Sequence, residues 1–330
     1  MAEKGISIIL CTHNGALRLT PTLEHLCNLT PVESTELVIV DNASSDDTVD
    51  LCTHYLESHC PFPWRIVYEQ NPGLVHARLK GIHEANYDIL LFCDDDNYLC
   101  ADYLMIGYEI MISNQKIGAL GGNGRPVFYS PKPDWFDRYS YSYAVGPQAN
   151  ASGRLTASHP EIYGAASFWR KEVLVNMYQR GFQALLTGRR GDQLVSGDDV
   201  EWCFMIQLMG YEIWYDDRLL FEHVMPKNRL HWDYYLKLKR GISAGSALLF
   251  PYIVLMNDRK KSLFGFNVQY MLRAIKAIYQ YSRFYAFHLF TRKSSTAQQV
   301  AAEVLKSRMQ SFLTNNTIAG KQFRLLKSII

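Results

Sequence analysis

The sequence predicts an α/β fold, a mostly parallel central sheet flanked by helices, with a C-terminal helical appendage. Three observations lead there. Over the first 120 residues short apolar runs alternate with stretches of helical periodicity, which is how a parallel sheet covered on both faces reads. Three of those runs end in polar turns, and in such sheets the carboxyl ends of the strands share the edge at which ligands bind. Charge is also unevenly divided. The chain holds 34 Lys and Arg against 32 Asp and Glu, yet residues 251–330 contain 13 Lys or Arg and two acids, Asp258 and Glu303, a net +11 beside −9 for the rest. A body and a tail of opposite charge are expected to face different partners.

The elements follow in order. Ile6–Leu10 is the first strand and runs into the turn Cys11-Thr12-His13-Asn14-Gly15. Leu19, Leu23 and Leu26 recur at helical spacing within Leu17–Leu29. Glu36–Val40 is a second strand ending at Asp41-Asn42; Ser44 or Ser45 is then expected to cap a helix to about residue 59, with Asp46 and Asp47 in its first turn. Arg65–Tyr68 is a third strand, Leu74–Glu84 a helix after the turn Asn71-Pro72-Gly73, and Ile89–Cys93 a fourth strand running into Asp94-Asp95-Asp96. Residues 121–165, with Gly121, Gly122, Gly124, Pro126, Pro131 and Pro133, read as one long irregular loop, a length that usually signals function. Val200–Met209 reads as a helix, followed by short strands around Ile213–Tyr215 and Leu219–Phe221. The expected division is a catalytic domain over 1–245 and a basic, amphipathic helical region over 246–330.

Composition narrows the class. With 48% hydrophobic and 20% charged residues the chain can bury a core and is not disordered. Seven scattered cysteines without a Cys-x-x-Cys pair indicate neither a zinc ribbon nor a disulfide scaffold, and a reducing cytoplasm is expected. The start Met-Ala-Glu-Lys-Gly lacks a signal-peptide pattern. The longest apolar stretch, Ala247–Met256, is shorter than a membrane span and contains Pro251. An acidic body without a known binding motif argues against nucleic acid.

Three clusters carry potential chemistry. Asp94-Asp95-Asp96 follows an apolar strand, and its mutual repulsion is offset either by a divalent cation or by solvent. Strand alternation lets Asp94 and Asp96 face one site while Asp95 faces away, and oxygen ligands suit Mg²⁺ or Mn²⁺ shared with substrate phosphates. Asp198-Asp199 stands at a helix start, after the flexible stretch Thr187–Gly191. Capping uses one carboxylate at most, which leaves the other as a general base. Arg78 and Lys80, on the helix after Asn71-Pro72-Gly73, either meet phosphates or form a solvated basic face. His223 ends a short strand as a structural residue or a ligand.

Taken together, the segments SIILCTHNG (7–15), ELVIVDNASSDDT (36–48), NPGLVHARLKGI (71–82), DILLFCDDDNYLCADYL (88–104), GAASFWRKEVL (164–174) and SGDDVEWCFMIQLMGY (196–211), with FEH at 221–223, resemble the family 2 glycosyltransferases, which have the GT-A fold. The likeness covers about residues 5–240. It implies an inverting, metal-dependent transfer from a nucleoside-diphosphate sugar, with uridine the implied base, to a glycan or lipid-linked glycan, as in bacterial cell-surface glycan synthesis. By position, Thr12, Asn14 and Asp41 match residues lining the nucleotide site and Arg78 a donor-binding arginine. Asp94 and Asp96 match the Asp-x-Asp motif, with Asp96 the direct ligand of Mn²⁺ or Mg²⁺, and Asp95 is counted with the donor site. Asp198-Asp199 matches the Glu-Asp pair that supplies the catalytic base, Asp199, with Asp198 in place of the usual Glu. His223 matches a histidine near the metal or diphosphate. A sugar nucleotidyltransferase would carry a Gly-rich basic loop at Cys11–Arg18, which is absent, and a non-catalytic binder would not need both acidic clusters. Acceptor choice is expected to lie in Gly121–Ser167 and Gln183–Val195.

In the tail, residues 264–290 lack a helix breaker after Gly265. Gln269, Arg273, Lys276, Gln280 and Arg283 recur as one polar stripe beside a broad aromatic-rich face. Such a helix lies on an anionic membrane surface or packs on protein. The first reading puts the chain at the cytoplasmic face of a membrane.

Overall fold

A computed structural model describes residues 3–156, 161–186, 188, 197–288 and 295–330. The chain first alternates strand and helix: β1 (Glu3–Thr12), α1 (Leu19–Cys27), β2 (Thr35–Asp41), α2 (Thr48–His59), β3 (Trp64–Tyr68), α3 (Leu74–Glu84) and β4 (Tyr87–Asp94). Then follow β5 (Asn97–Leu99), α4 (Tyr103–Ser113), β6 (Ile117–Phe128), α5 (Phe136–Tyr139), β7 (Gly153–Arg154), β8 (Ser167–Arg170), α6 (Lys171–Gln179), α7 (Asp198–Leu208) and β9 (Glu212–Met225). The rest is helical: α8 (Trp232–Ala244), α9 (Ser246–Asn257), α10 (Leu263–His288), α11 (Thr296–Thr314) and α12 (Asn316–Ile329).

Among the described residues nine strands form one sheet in the order β3-β2-β1-β4-β8-β6-β9-β5, with β7 beside β9. β3, β2, β1 and β4 are parallel, and β8 is antiparallel to both β4 and β6. The unbroken apolar runs exist because both faces are covered. Ile6, Ile8 and Leu10 of β1 enter one core with Leu19, Leu23 and Leu26 of α1 and Cys52 and Leu56 of α2. Ile9 and Cys11 enter the other, with Ala77 and Ile82 of α3 and Trp202 of α7. Cys11 stands opposite both Val40 and Asp94, and Thr12 opposite Asp41. That register brings the polar ends of three strands to one edge.

Several local expectations need correction. Neither Ser44 nor Ser45 caps α2, which starts at Thr48 after Asp47 with no side-chain cap. Their groups serve the first loop instead: Asn14 N–H donates to Ser44 Oγ at 2.9 Å, and Ser45 N–H donates to Asn14 Oδ1 at 2.8 Å. The glycines at 121–124 lie within strand β6, not in a loop. A side chain at Gly122 would run into the Leu219 carbonyl and the Tyr103 hydroxyl, so these glycines permit close packing rather than irregular backbone. The two short strands expected around 213–221 are one strand, β9, and His223 lies inside it.

The core also runs across residue 245. Phe250, Tyr252, Phe266, Phe312 and Phe323 from the tail helices pack in the same cluster as Ile9 and Trp202. A buried carboxylate reinforces this. Glu201 of α7 accepts Tyr252 O–H of α9 at 2.6 Å and the N–H groups of Leu185 and Leu186 at 2.9 and 2.8 Å. Gln322 of α12 donates to Tyr252 Oη at 2.6 Å. Burial pushes the Glu201 carboxyl up to about 7.

Helix α10 turns Phe266, Tyr270 and Ala277 inward. Phe264, Met271, Leu272, Ile275 and Tyr279, on its opposite side, are exposed. Arg273, Lys276 and Arg283 are exposed along one flank, and the helix contains no acid. Residues 289 and 290 of the expected stretch lie outside the described residues. No described helix is long and apolar enough to cross a membrane, and all seven cysteines are free.

Candidate active site

The strand-end edge opens onto a cavity of about 780 Å³, within the range of ligand pockets. Of the residues singled out in the sequence, Thr12, Arg78, Asp94, Asp95, Asp96, Asp198, Asp199 and His223 line it. Asn14 and Asp41 do not line it. Asp41 is buried behind the wall and accepts Ser44 N–H at 3.2 Å. Their chain neighbours His13 and Asn42 line the cavity instead. Asn42 donates to the Asn71 carbonyl at 2.7 Å and accepts Gly73 N–H at 2.8 Å, fixing the turn from which α3 launches Arg78.

Each carboxylate of the triplet has its own arginine. Asp95 receives Arg18 Nε at 3.0 Å and Nη2 at 2.6 Å, and Thr12 Oγ1 donates to it at 2.7 Å. Arg18 also donates to the carbonyls of Asn14 and His13, so this pair braces the first loop. Burial, more than the ion pair, governs the Asp95 carboxyl and holds its pKa above the ordinary value. Asp94 lies 3.7 Å from Arg78, whose Nη1 donates to Asp198 at 2.8 Å. Asp96 lies 2.9 Å from Arg229, in the turn after β9. The repulsion within the triplet is therefore relieved by the protein's own cations, and needs no metal to explain it. Arg18 and Arg229 were missed in the sequence. Arg18 stands a few residues beyond the first turn, whereas Arg229 carries no local signal.

Whether a divalent ion fits turns on His223. Its Nδ1–H donates to the Tyr143 carbonyl at 2.7 Å, an assignment that follows because a carbonyl only accepts. Nε2 then faces Asp96 Oδ1 at 3.5 Å. In the neutral ring that is a lone pair facing a carboxylate oxygen, an arrangement a shared cation would satisfy. Among the described residues no three His, Cys, Asp or Glu side chains converge as a closed metal site. The donor set thus fits an ion held partly by Asp96 and His223, near Asp94, and otherwise by substrate phosphates.

The pair Asp198-Asp199 is joined to the triplet through Arg78. Gly197 precedes α7, and neither Asp198 nor Asp199 caps it. Asp198 is spent on Arg78. Asp199 Oδ2 accepts Gly164 N–H at 2.8 Å and Oδ1 accepts Val200 N–H at 2.9 Å. Burial and then the charge of Asp198 push the Asp199 carboxyl up to about 6, with Arg78 opposing. That value suits proton uptake near neutrality. A side chain at Gly164 would sit 3.0 Å from both Arg78 Nη2 and Asp199 Cβ, so the placement of Asp199 and Arg78 requires the bare glycine.

Beside Gly164 the cavity lining adds groups that the sequence did not indicate. Tyr163 is buried there, its hydroxyl lacking a partner among the described residues. Tyr141 is 48% exposed beside it, with ring centroids 5.2 Å apart. Leu238, Lys239 and Ile242 of α8 and Leu249 of α9 complete the wall. Burial lowers the Lys239 pKa. Residues 187 and 189–196, most of one stretch expected to govern acceptor choice, lie outside the described residues.

The chain is similar to known proteins in sequence and in fold. Residues 7–175 match the model of glycosyl transferase family 2. The chain is 25% identical over 236 residues to the poly-beta-1,6-N-acetyl-D-glucosamine synthase of Staphylococcus epidermidis, covering 69% of this chain and 54% of that protein. It is 24% identical over 268 residues to the synthase of the same name from Staphylococcus aureus strain COL, covering 78% and 61%. The chain thus spans little more than half the length of these curated relatives. Among solved structures, the mannosyltransferase PcManGT from Pyrobaculum calidifontis, in complex with GDP-Man and Mn²⁺, aligns at TM-score 0.58 and 16% identity over 96% of this chain and 87% of that one. S. aureus TarS 1-349 with UDP-GlcNAc aligns at 0.54 and 13% over 95% and 92%.

Proposed function

Because the chain belongs to glycosyl transferase family 2 and is a glycosyltransferase on a GT-A fold, we propose that it is an inverting, divalent-metal-dependent enzyme. In this reading it moves a sugar from a nucleoside diphosphate, with uridine as base, to a hydroxyl of a glycan or lipid-linked glycan. The observation that carries the reading is Asp199, a carboxylate pushed up to about 6, fixed by two backbone N–H groups on the wall of the cavity that the triplet also lines. Its remaining lone pairs are open to an acceptor hydroxyl. Asp199 takes that proton as the oxygen attacks the anomeric carbon from the face opposite the leaving group, and one displacement inverts the configuration. Arg78 pairs with Asp198 and Asp94 and offsets part of the negative charge beside the base. Asp96 and His223, with Asp94 of the same triplet, would offer part of the ligand set for Mn²⁺ or Mg²⁺ and the substrate phosphates the rest; the ion when bound neutralises charge developing on the diphosphate.

The neighbouring structures were solved with donors of different bases, GDP-Man and UDP-GlcNAc, so uridine rests on the sequence resemblance. The polysaccharide-synthase relatives support a glycan acceptor. The basic flank and exposed apolar face of α10 support peripheral attachment to the cytoplasmic face of a membrane.

Thermal-shift screening of nucleotide sugars with Mn²⁺ identifies the donor. Asp199→Asn is then expected to be stabilised by that donor as the parent chain is, yet to transfer no sugar. Near-normal transfer by this variant removes Asp199 from the role of base.

A further inference from the structure

The three arginine–carboxylate pairs of the triplet are not equivalent. Arg18 makes two bonds to Asp95 and two to backbone carbonyls. Arg78 is buried, bound to Asp198 and lies over the Phe92 ring at 5.4 Å. Both are tied into the scaffold by more than the triplet. Arg229 instead rises from the short turn Lys227–Arg229, lines the cavity and directs its guanidinium at Asp96. Asp96 is also the carboxylate that His223 Nε2 approaches. Two cations therefore claim one carboxylate: an arginine that is present, and the divalent ion proposed above.

We propose that Arg229 is a diphosphate-binding residue that neutralises Asp96 while the donor site is empty and moves to the donor phosphates when the metal-carrying donor binds. The inference rests on the metal reading of Asp96. Its physical basis is that the Asp96 side chain is only 10% exposed, and a carboxylate so enclosed is costly to leave uncompensated. An ion seated on Asp96 repels the guanidinium 2.9 Å away. The nearest new anion is then the diphosphate, whose oxygens match the planar donor fork of arginine. The exchange leaves no charge unpaired. One Arg–Asp contact opens, and one metal–carboxylate and one Arg–phosphate contact form. A bare divalent ion must displace Arg229 with no anion to receive it. Nucleotide and metal are therefore expected to bind cooperatively, with Arg229 as the coupling residue.

The test is Mn²⁺ binding to the full chain, followed by the electron paramagnetic resonance signal of free Mn²⁺, alone and with saturating UDP or, in parallel, GDP. The parent chain is expected to bind Mn²⁺ about 10-fold more tightly with the nucleotide than without it, a typical coupling between two sites. Arg229→Met is expected to bind Mn²⁺ alone about 10-fold more tightly than the parent, to lose most of the coupling and to bind the nucleotide more weakly. Mn²⁺ alone should also raise its thermal midpoint more than the parent's. Arg229→Lys, which keeps the charge and guards against a folding defect in the Met variant, should bind Mn²⁺ alone as weakly as the parent while losing part of the nucleotide coupling. If Arg229→Met binds Mn²⁺ alone no better than the parent, and the parent with nucleotide does bind it, the exchange is refuted while the metal reading stands. If neither chain binds Mn²⁺ with either nucleotide, both are refuted.

Discussion

Replacing Asp198 with Asn should shift the acid limb of the rate–pH profile to lower pH. Asp199 titrates at about 6 instead of the ordinary 3.8 because burial, and then the negative charge of Asp198, disfavour its ionised form, with Arg78 pulling the other way. The substitution removes the second of these. It also frees the Arg78 guanidinium, now 2.8 Å from Asp198, to compensate Asp199. Both changes favour the ionised base. With a pKa of about 6, about a tenth of the base is ionised at pH 5, about half at pH 6 and about nine-tenths at pH 7. Removing one neighbouring like charge typically recovers about one unit, which brings the fraction at pH 5 to about half. Relative to its own plateau, the variant should therefore turn over ~5-fold faster than the parent at that pH. The assay is initial release of nucleoside diphosphate at saturating donor and acceptor, from about pH 4.5 to 8. The plateau is expected to fall, because Arg78 loses its tightest partner. A limb that stays near 6 or moves upward would refute the claim that Asp198 tunes the base.

Two further outcomes follow from side-chain packing. Gly164→Ala inserts a methyl 3.0 Å from both Arg78 and Asp199; kcat should fall by roughly 10-fold or more while the thermal midpoint moves by only a few degrees, and an unchanged kcat would show that Gly164 does not set the position of the base. On α10, Met271→Asp combined with Ile275→Asp, at positions 56% and 54% exposed, should abolish flotation with anionic vesicles and leave the fold intact. Equal flotation of variant and parent, or none by either, would remove the membrane contact. Truncation before α10 is not a usable control, since it would strip Phe266, Phe312 and Phe323 from the core.

Much of the site was legible because it is local. The strand-end turns, the triplet and the Asp198-Asp199 pair are each contiguous, and the parallel register alone brings Cys11, Val40 and Asp94 side by side. What was illegible is what long-range packing decides. Gly122 reads as a loop residue, yet it is glycine because the Leu219 carbonyl and the Tyr103 hydroxyl press against it. β9 reads as two strands because Asp216, Asp217 and Arg218 interrupt its apolar pattern. There Arg218 Nε donates to Asp216 at 2.8 Å, and the pairing with β6 shifts register. Ser44 and Ser45 look like helix caps, but the loop that needs them is Asn14, across the edge. Arg229 reaches Asp96 from a turn far along the chain, and no spacing rule links the two.

The node at Glu201 gives the tail a second meaning. Asp199 and Glu201 lie in the same turn of α7, and the Glu201 carboxylate is gripped by Tyr252, itself gripped by Gln322. A force applied to the C-terminal helices therefore reaches the turn that carries Asp199 through these two hydrogen bonds and the shared apolar core rather than through a flexible tether. Any partner that grasps the tail also grips the tool. Where the tail is held and how Asp199 is aimed are one mechanical question.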